Sequence, residues 1–143
     1  MLLPLFEGLI KTSHYDPEMA ALANRHYSRR KIGARQFANS GRKLVLRDTR
    51  GEILFVWLWQ FDHLRFDNQT GYNCQIFRNE SSRMSSDIIL EAERHATEKW
   101  GPNRFYTYVN AAKVVSSNPG YCFKKAGWTF QYISKTGLHL LAK

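Results

Sequence analysis

Strand-like and helix-like runs follow one another along this 143-residue chain in an order that predicts a mixed α+β sandwich around one sheet. Three observations carry that prediction. The stretch KLVLRDTRGEILFVWLWQF, residues 43–61, reads as a hairpin: two strand-like runs joined by the turn TRGE. The second of these runs, Ile53 to Phe61, is nearly all apolar, as a strand in the middle of a sheet covered on both faces must be. Two segments, DPEMAALANRHY and DIILEAERHATEKWG, instead repeat their apolar residues at helical spacing and supply the covering layers.

The elements follow in order. LFEGLIK is a short first strand. In DPEMAALANRHY, Asp16 is a suitable N-cap and Pro17 suits the first turn, because the lost N–H has no helical partner there. Met19, Leu22, Ala23 and His26 form one face of that helix. SRRKIGARQFANSGRK is polar, basic and broken by glycine, and reads as a loop. After the hairpin, DHLRFDNQTG is a second loop and YNCQIF a strand. The polar stretch NESSRMSS precedes the second helix, whose buried side is Ile88, Ile89, Ala92, Ala96 and Trp100 and whose stop is Gly101-Pro102. RFYTYVN is a strand, PGYCFKKAG a short helix, and WTFQYIS with GLHLLAK a final antiparallel pair.

Composition narrows the function. The hydrophobic fraction of 43% is ordinary for a globular protein, and 143 residues suit a single domain spanning 1–143. Lys and Arg number 21 against 12 Asp and Glu, a formal charge of +9, which favours a polyanionic partner: nucleic acid, a phosphate-rich cofactor, or both. Arg29, Arg30, Lys31, Arg35, Arg42 and Lys43 crowd one loop with Phe37 among them, a pattern that can track a phosphate backbone while an aromatic ring wedges or stacks. A solvated basic loop is the plainer alternative. Cys74 and Cys122 match neither a zinc nor a redox spacing, and no His, Cys and carboxylate set has metal-ligand spacing, so no metal site is expected. The apolar start is too short and too broken by Pro4 and Glu7 for a signal peptide, and no run has the length of a membrane span, so a soluble cytoplasmic protein is expected.

NESSRMSS raises a sharper expectation. The first N–H groups of a helix lack internal partners and carry the positive end of the helix dipole. Ser81, Ser82, Ser85 and Ser86 with Arg83 would complete an anion site there; helix capping by Ser85 or Ser86 is the simpler role. His26, Tyr27 and Ser28 form a second cluster of interest, in which His26 is either a base at a cleft or a helix-terminal histidine, and Tyr27 can stack on a substrate base. His95 reads as a surface residue, His139 as structural, and Trp57 and Trp59 as core.

The layout resembles the GNAT acyltransferase superfamily over nearly the whole chain. In that family the fourth strand leads into a pyrophosphate-binding loop and a helix, as YNCQIFRNESSRMSSDIILEAERH would here, and PGYCFKKAGW looks like the later signature. This loop lacks the glycines of the usual Q/R-x-x-G-x-G/A pattern. HYS at 26–28, the NESSR loop and YTYVNAAKVVSSNPGYCFKKAGW further resemble the Mom-type DNA-modification proteins of bacteriophages. The resemblance implies a GNAT-like, mostly antiparallel sheet flanked by helices. It implies an acyl-CoA such as acetyl-CoA, held by Ser82 and Arg83 with Arg78 at the end of the preceding strand. The implied reaction is transfer of an acyl-derived group to a nucleobase amine, adenine's first, in double-stranded DNA, which would shield that DNA from restriction in an infected bacterial host. His26, Ser28, Asn110 or Tyr121 would handle the amine. Phe123 stands where many members carry the tyrosine that acts as general acid, so either Tyr121 or another group takes that task, or the chain does a different one. No membrane partner is implied, and a homodimer stays open. Two other readings stand beside this one: a GNAT acetyltransferase of a protein or small-molecule amine, and a non-enzymatic nucleic-acid-binding module on a degenerate GNAT fold.

Overall fold

The structure is a computed structural model and describes residues 8–25, 38–61, 67–113 and 118–143. Among the described residues seven strands form one sheet: β1 (Ile10–Thr12), β2 (Arg42–Arg47), β3 (Ile53–Trp59), β4 (Tyr72–Asn79), β5 (Phe105–Val109), β6 (Thr129–Ile133) and β7 (His139–Ala142). Their spatial order is β1-β2-β3-β4-β5-β7-β6, and every neighbouring pair is antiparallel except β4 and β5. The helices are α1 (Pro17–Asn24), α2 (Ser85–Trp100) and the short α3 (Tyr121–Lys125). The expected mixed, mostly antiparallel α+β architecture is the one observed.

The apolar pattern explains the layers. On β3, Ile53, Phe55 and Trp57 point into the larger core beneath α2 and α3, while Leu54 and Val56 point into a smaller core beneath α1. All six residues from Ile53 to Leu58 are buried, so this strand is covered on both faces, as its composition required. Inside the larger core the Trp57 indole N–H donates to the Ala92 carbonyl at 2.8 Å, which pins α2 to the middle of the sheet. The Trp128 indole and the Lys143 ammonium satisfy the nearly buried Glu93 carboxylate at 2.9 and 2.8 Å.

Local chemistry sets the element ends. The Asp16 carboxylate caps α1 through the N–H groups of Glu18 and Met19, at 3.0 and 3.3 Å. Burial opposes its charge, yet the bonds from Thr12 and Arg47 outweigh that and hold its carboxyl below the usual range. Gly71, with φ +103, turns the chain into β4 so closely that an added Cβ would lie 2.0 Å from the Arg104 carbonyl oxygen, a place only glycine fits.

Some boundaries differ from the sequence reading. The first strand begins later than expected, at Ile10, and part of the expected run lies outside the described residues. β4 runs on to Asn79, two residues past the apolar run that marked it, because its polar end stays hydrogen-bonded to β3. Neither Ser85 nor Ser86 caps α2: the N-cap position is Met84, with no side-chain cap, and Ser86 is buried under the first turn.

A notch where two parallel strands part

β4 and β5 pair in parallel over three rungs only, Tyr72↔Phe105, Asn73↔Tyr106 and Cys74↔Thr107, although β4 has eight residues. The reason is local. Against β3 the register slips after Cys74↔Trp57, so that Ile76 faces Val56 and Gln75 is an extra residue: a β-bulge. The side chains record it. Tyr72 and Cys74 belong to the core under α2, and the next residue on that side is Phe77, one position later than strict alternation allows. A bulge bends and twists its strand. Beyond it, residues Gln75 to Asn79 have no partner strand on the β5 side among the described residues. The ladder between β4 and β5 therefore stops short, which leaves a notch in the sheet's pairing at the C-terminal ends of the two strands.

The loop closing the top of this notch is built around Asn79. Its side-chain oxygen accepts from the Ser81 N–H and hydroxyl, at 2.9 and 2.6 Å, and its amide donates to the Arg83 carbonyl and the Ser85 hydroxyl, at 2.8 and 3.0 Å. The Ser81 hydroxyl in turn accepts from the Arg83 N–H at 3.1 Å. These bonds do what glycines do in other tight loops, and no residue from 79 to 84 has a positive φ. In the sequence the serines stand out and Asn79 does not; its signal is a polar residue at a strand end, three residues before a seryl-arginine pair.

The expected cofactor residues divide by side. Ser81, Ser85 and the backbone of Arg83 meet at Asn79, and Ser82 is exposed at the loop surface. One Arg83 guanidinium nitrogen bonds Glu91 at 3.0 Å, and Glu91 also accepts from the Leu9 N–H and lies 3.7 Å from His95. Arg78 instead turns to the α1 side, donating to Glu80 at 3.0 Å and to the Arg25 carbonyl at 3.3 Å. Glu80 also takes a bidentate pair from Arg25, at 2.7 and 2.9 Å, which holds its carboxyl below the usual range. A cation that the sequence reading did not foresee stands here: the Lys125 ammonium of α3 lies 3.1 Å from the Met84 sulfur, at the uncapped first turn of α2.

Of the expected amine-handling residues, Asn110 directly follows β5, and its side-chain oxygen accepts from the Ala112 N–H at 3.1 Å, ordering a 3-10 turn at the notch. Tyr121 is 56% exposed at the start of α3, which Gly120 brings against Val109 and Leu141. Phe123 is core, edge-on to Phe77 at 6.1 Å and 4.8 Å from Trp128. Burial pushes both thiols up, Cys74 strongly, so neither is a thiolate near neutrality. His26, Tyr27, Ser28, Arg29, Arg30, Lys31, Arg35 and Phe37 lie outside the described residues. Arg42 and Lys43 are turned to the protein itself: the Arg42 guanidinium stacks 3.5 Å over Trp59 and 4.4 Å from Phe61, and the Lys43 ammonium donates to the Gly41 carbonyl. A separate cavity of about 400 Å³ lies along α2 between Leu90 and Glu98, roughly 8–20 Å down the helix axis from Ser85, and is a groove on its flank.

No protein-family model and no curated protein matches the sequence. Among solved structures, aminoglycoside 6'-acetyltransferase type Ii matches with a TM-score of 0.66, at 12% identity, over 96% of this chain and 96% of that one. The likeness extends over nearly the whole of both chains and establishes the fold as GNAT-like.

Proposed function

We propose that this GNAT-like chain transfers an acyl group from an acyl-CoA, acetyl-CoA first, to an amine, and that the amine belongs to a nucleobase of double-stranded DNA. The observation that carries the transfer reading is the notch: two parallel strands that part at the Gln75 bulge beside the uncapped N-terminus of α2. The fit to an acyl-CoA is chemical. The strand groups along β4 suit an amide-bearing pantetheine arm. The first turn of α2, with Lys125 beside it, suits a pyrophosphate.

When bound, the acyl-CoA supplies the thioester carbon that the amine attacks. The chain's share is positioning and electrostatics. Backbone N–H groups of β4 past the bulge would donate to the carbonyl oxygen as it gains negative charge. The loop braced by Asn79 would hold the diphosphate and so fix the depth at which the thioester sits. Phe123 carries no proton to donate, and Tyr121 at the start of α3 is the hydroxyl nearest to it in the chain. The acceptor reading draws on the charge of +9, the basic loop and the resemblance to Mom-type proteins.

Two measurements on the purified protein test this. Calorimetric titration with acetyl-CoA should show one saturable site, weakened by Ser82→Ala together with Lys125→Ala. Incubation with acetyl-CoA and plasmid DNA, followed by mass spectrometry of the nucleosides, should yield a nucleoside heavier by the acyl group. The likeness to an aminoglycoside 6'-acetyltransferase favours a second reading, acetyl transfer to a small-molecule amine. That reading predicts acetyl-CoA binding, unmodified nucleosides, and thiol release when kanamycin is the acceptor. Absence of any acetyl-CoA binding would overturn both.

A further inference from the structure

On the face of the sheet opposite α2, Tyr108 of β5 and Tyr132 of β6 each sit directly across from Leu140 of β7. Two strand spacings place their backbones roughly 9–10 Å apart on the same face, with the fully buried Leu140 between them. Tyr108 is also the first residue of β5 beyond the last parallel rung, so this face borders the notch.

One turn of the β3–β4 connection reaches both rings. The Tyr108 hydroxyl donates to the Asp67 carboxylate at 2.8 Å, and the Gln69 amide donates to the Tyr132 oxygen at 2.8 Å. Asn68 between them, with φ +58, is the single non-glycine residue of positive φ among the described residues. The left-handed turn sets Asp67 and Gln69 on the two tyrosines. Arg104 braces the same turn by donating to the Thr70 carbonyl at 3.1 Å. Yet Tyr132 stays 47% exposed, and Asp67 and Asn68 are exposed too. An open aromatic face therefore adjoins a carboxylate and two carboxamides, all planar hydrogen-bonding groups, on the notch's other side.

We infer that this turn and Tyr132 form the acceptor-recognition surface, and that its ligand is a planar amine-bearing base displaced from the helical stack. The inference rests on the acyl-transfer reading and specifies its acceptor. Tyr132 offers a ring for the base to stack on. Carboxamides read adenine's amino edge in pairs, and a carboxylate accepts from an exocyclic N–H. The excess positive charge of the chain supplies the sequence-independent attraction to phosphates that such a contact needs.

The test separates this surface from the acyl-CoA site. Fluorescence anisotropy would follow binding of a labelled duplex with one adenine opposite an abasic position, and of the same duplex with thymine there. Acetyl-CoA titration of each variant runs in parallel. The wild-type chain should prefer the adenine duplex. Tyr132→Ala should weaken adenine binding about tenfold, with Tyr132→Phe within about twofold of wild type because stacking needs the ring and not the hydroxyl. Asp67→Asn and Gln69→Ala should lose the preference for adenine over thymine. Acetyl-CoA binding should stay unchanged in all four. Equal affinity of the wild type for both duplexes, or wild-type affinity in Tyr132→Ala, overturns the inference. A chain that shows all the duplex effects but binds no acetyl-CoA keeps this surface and loses the transfer reaction.

Discussion

At the scale of the residue, Asn79 does more for the candidate site than any of the serines that draw attention in the sequence. Its carboxamide has two donors and one accepting oxygen, and the loop uses both ends. The Ser81 and Ser85 hydroxyls both bond to it. Asn79→Ala would remove the bonds that its side chain makes to the Arg83 carbonyl, the Ser81 N–H and two serine hydroxyls in a half-buried place, at a cost of about 1–3 kcal/mol. Urea denaturation should show a lower midpoint with an unchanged slope. Acetyl-CoA titration of the still-folded variant should show weaker binding, since the loop would no longer be held in one shape. Ser85→Ala, which removes one acceptor and keeps the oxygen-side bonds, should cost less. Phe123 makes a different point at this scale. The resemblance drawn from the sequence marks it as a missing hydroxyl, but packing against Phe77 and Trp128 gives it a full structural role.

At the scale of the element, the bulge in β4 is the feature from which the notch follows. One extra residue shifts Ile76 and Phe77 to the opposite faces from those that alternation would give them, and both new positions are filled by the correct core. Hydrophobic pattern and backbone irregularity thus agree, which is why the bulge is stable. The three rungs below it must hold for the strands above it to part cleanly. Gly71 governs the lowest of them, since the Tyr72 N–H bonds the Arg104 carbonyl at 2.7 Å only if the chain passes that oxygen without a Cβ. Gly71→Ala combines a left-handed φ with a backbone collision that no side-chain rotation relieves. It should destabilise the chain by about 2–4 kcal/mol, more than an ordinary glycine substitution. Thermal unfolding monitored by circular dichroism checks this; a melting temperature equal to wild type would mean that β4 and β5 can slide apart there freely.

At the scale of the whole molecule, the charge of +9 and the placement of the notch are separate facts that the proposed function joins. Part of the positive charge is already engaged within the chain. Arg25, Arg47 and Arg78 bond carboxylates, and Arg42 lies over aromatic rings. Duplex binding should therefore respond to salt more weakly than a count of 21 basic residues suggests, losing about ten- to a hundredfold in affinity between 50 and 200 mM salt. Anisotropy titrations across that range measure the slope. A salt-independent affinity would exclude phosphate contacts as its source.

The order of elements, the buried central strand, the Asp16 cap and the inner face of α2 are all legible in the chain's residues alone. Each of these depends on residues close together in the chain, where periodicity and capping chemistry act directly. The residues also marked a polar connection between β4 and α2, although β4 takes in Asn79 and α2 takes in Ser85 and Ser86. Which distant groups meet depends on the fold. That Gln75 is bulged depends on β3, which lies far off in the chain. That Lys125 reaches Met84 depends on α3 packing beside α2, and that Asp67 and Gln69 close on two tyrosines depends on where β5 and β6 lie in the sheet. Hydrogen bonds between residues 41 or 63 positions apart leave no periodic trace in the chain, because their partners are set by the fold and not by spacing.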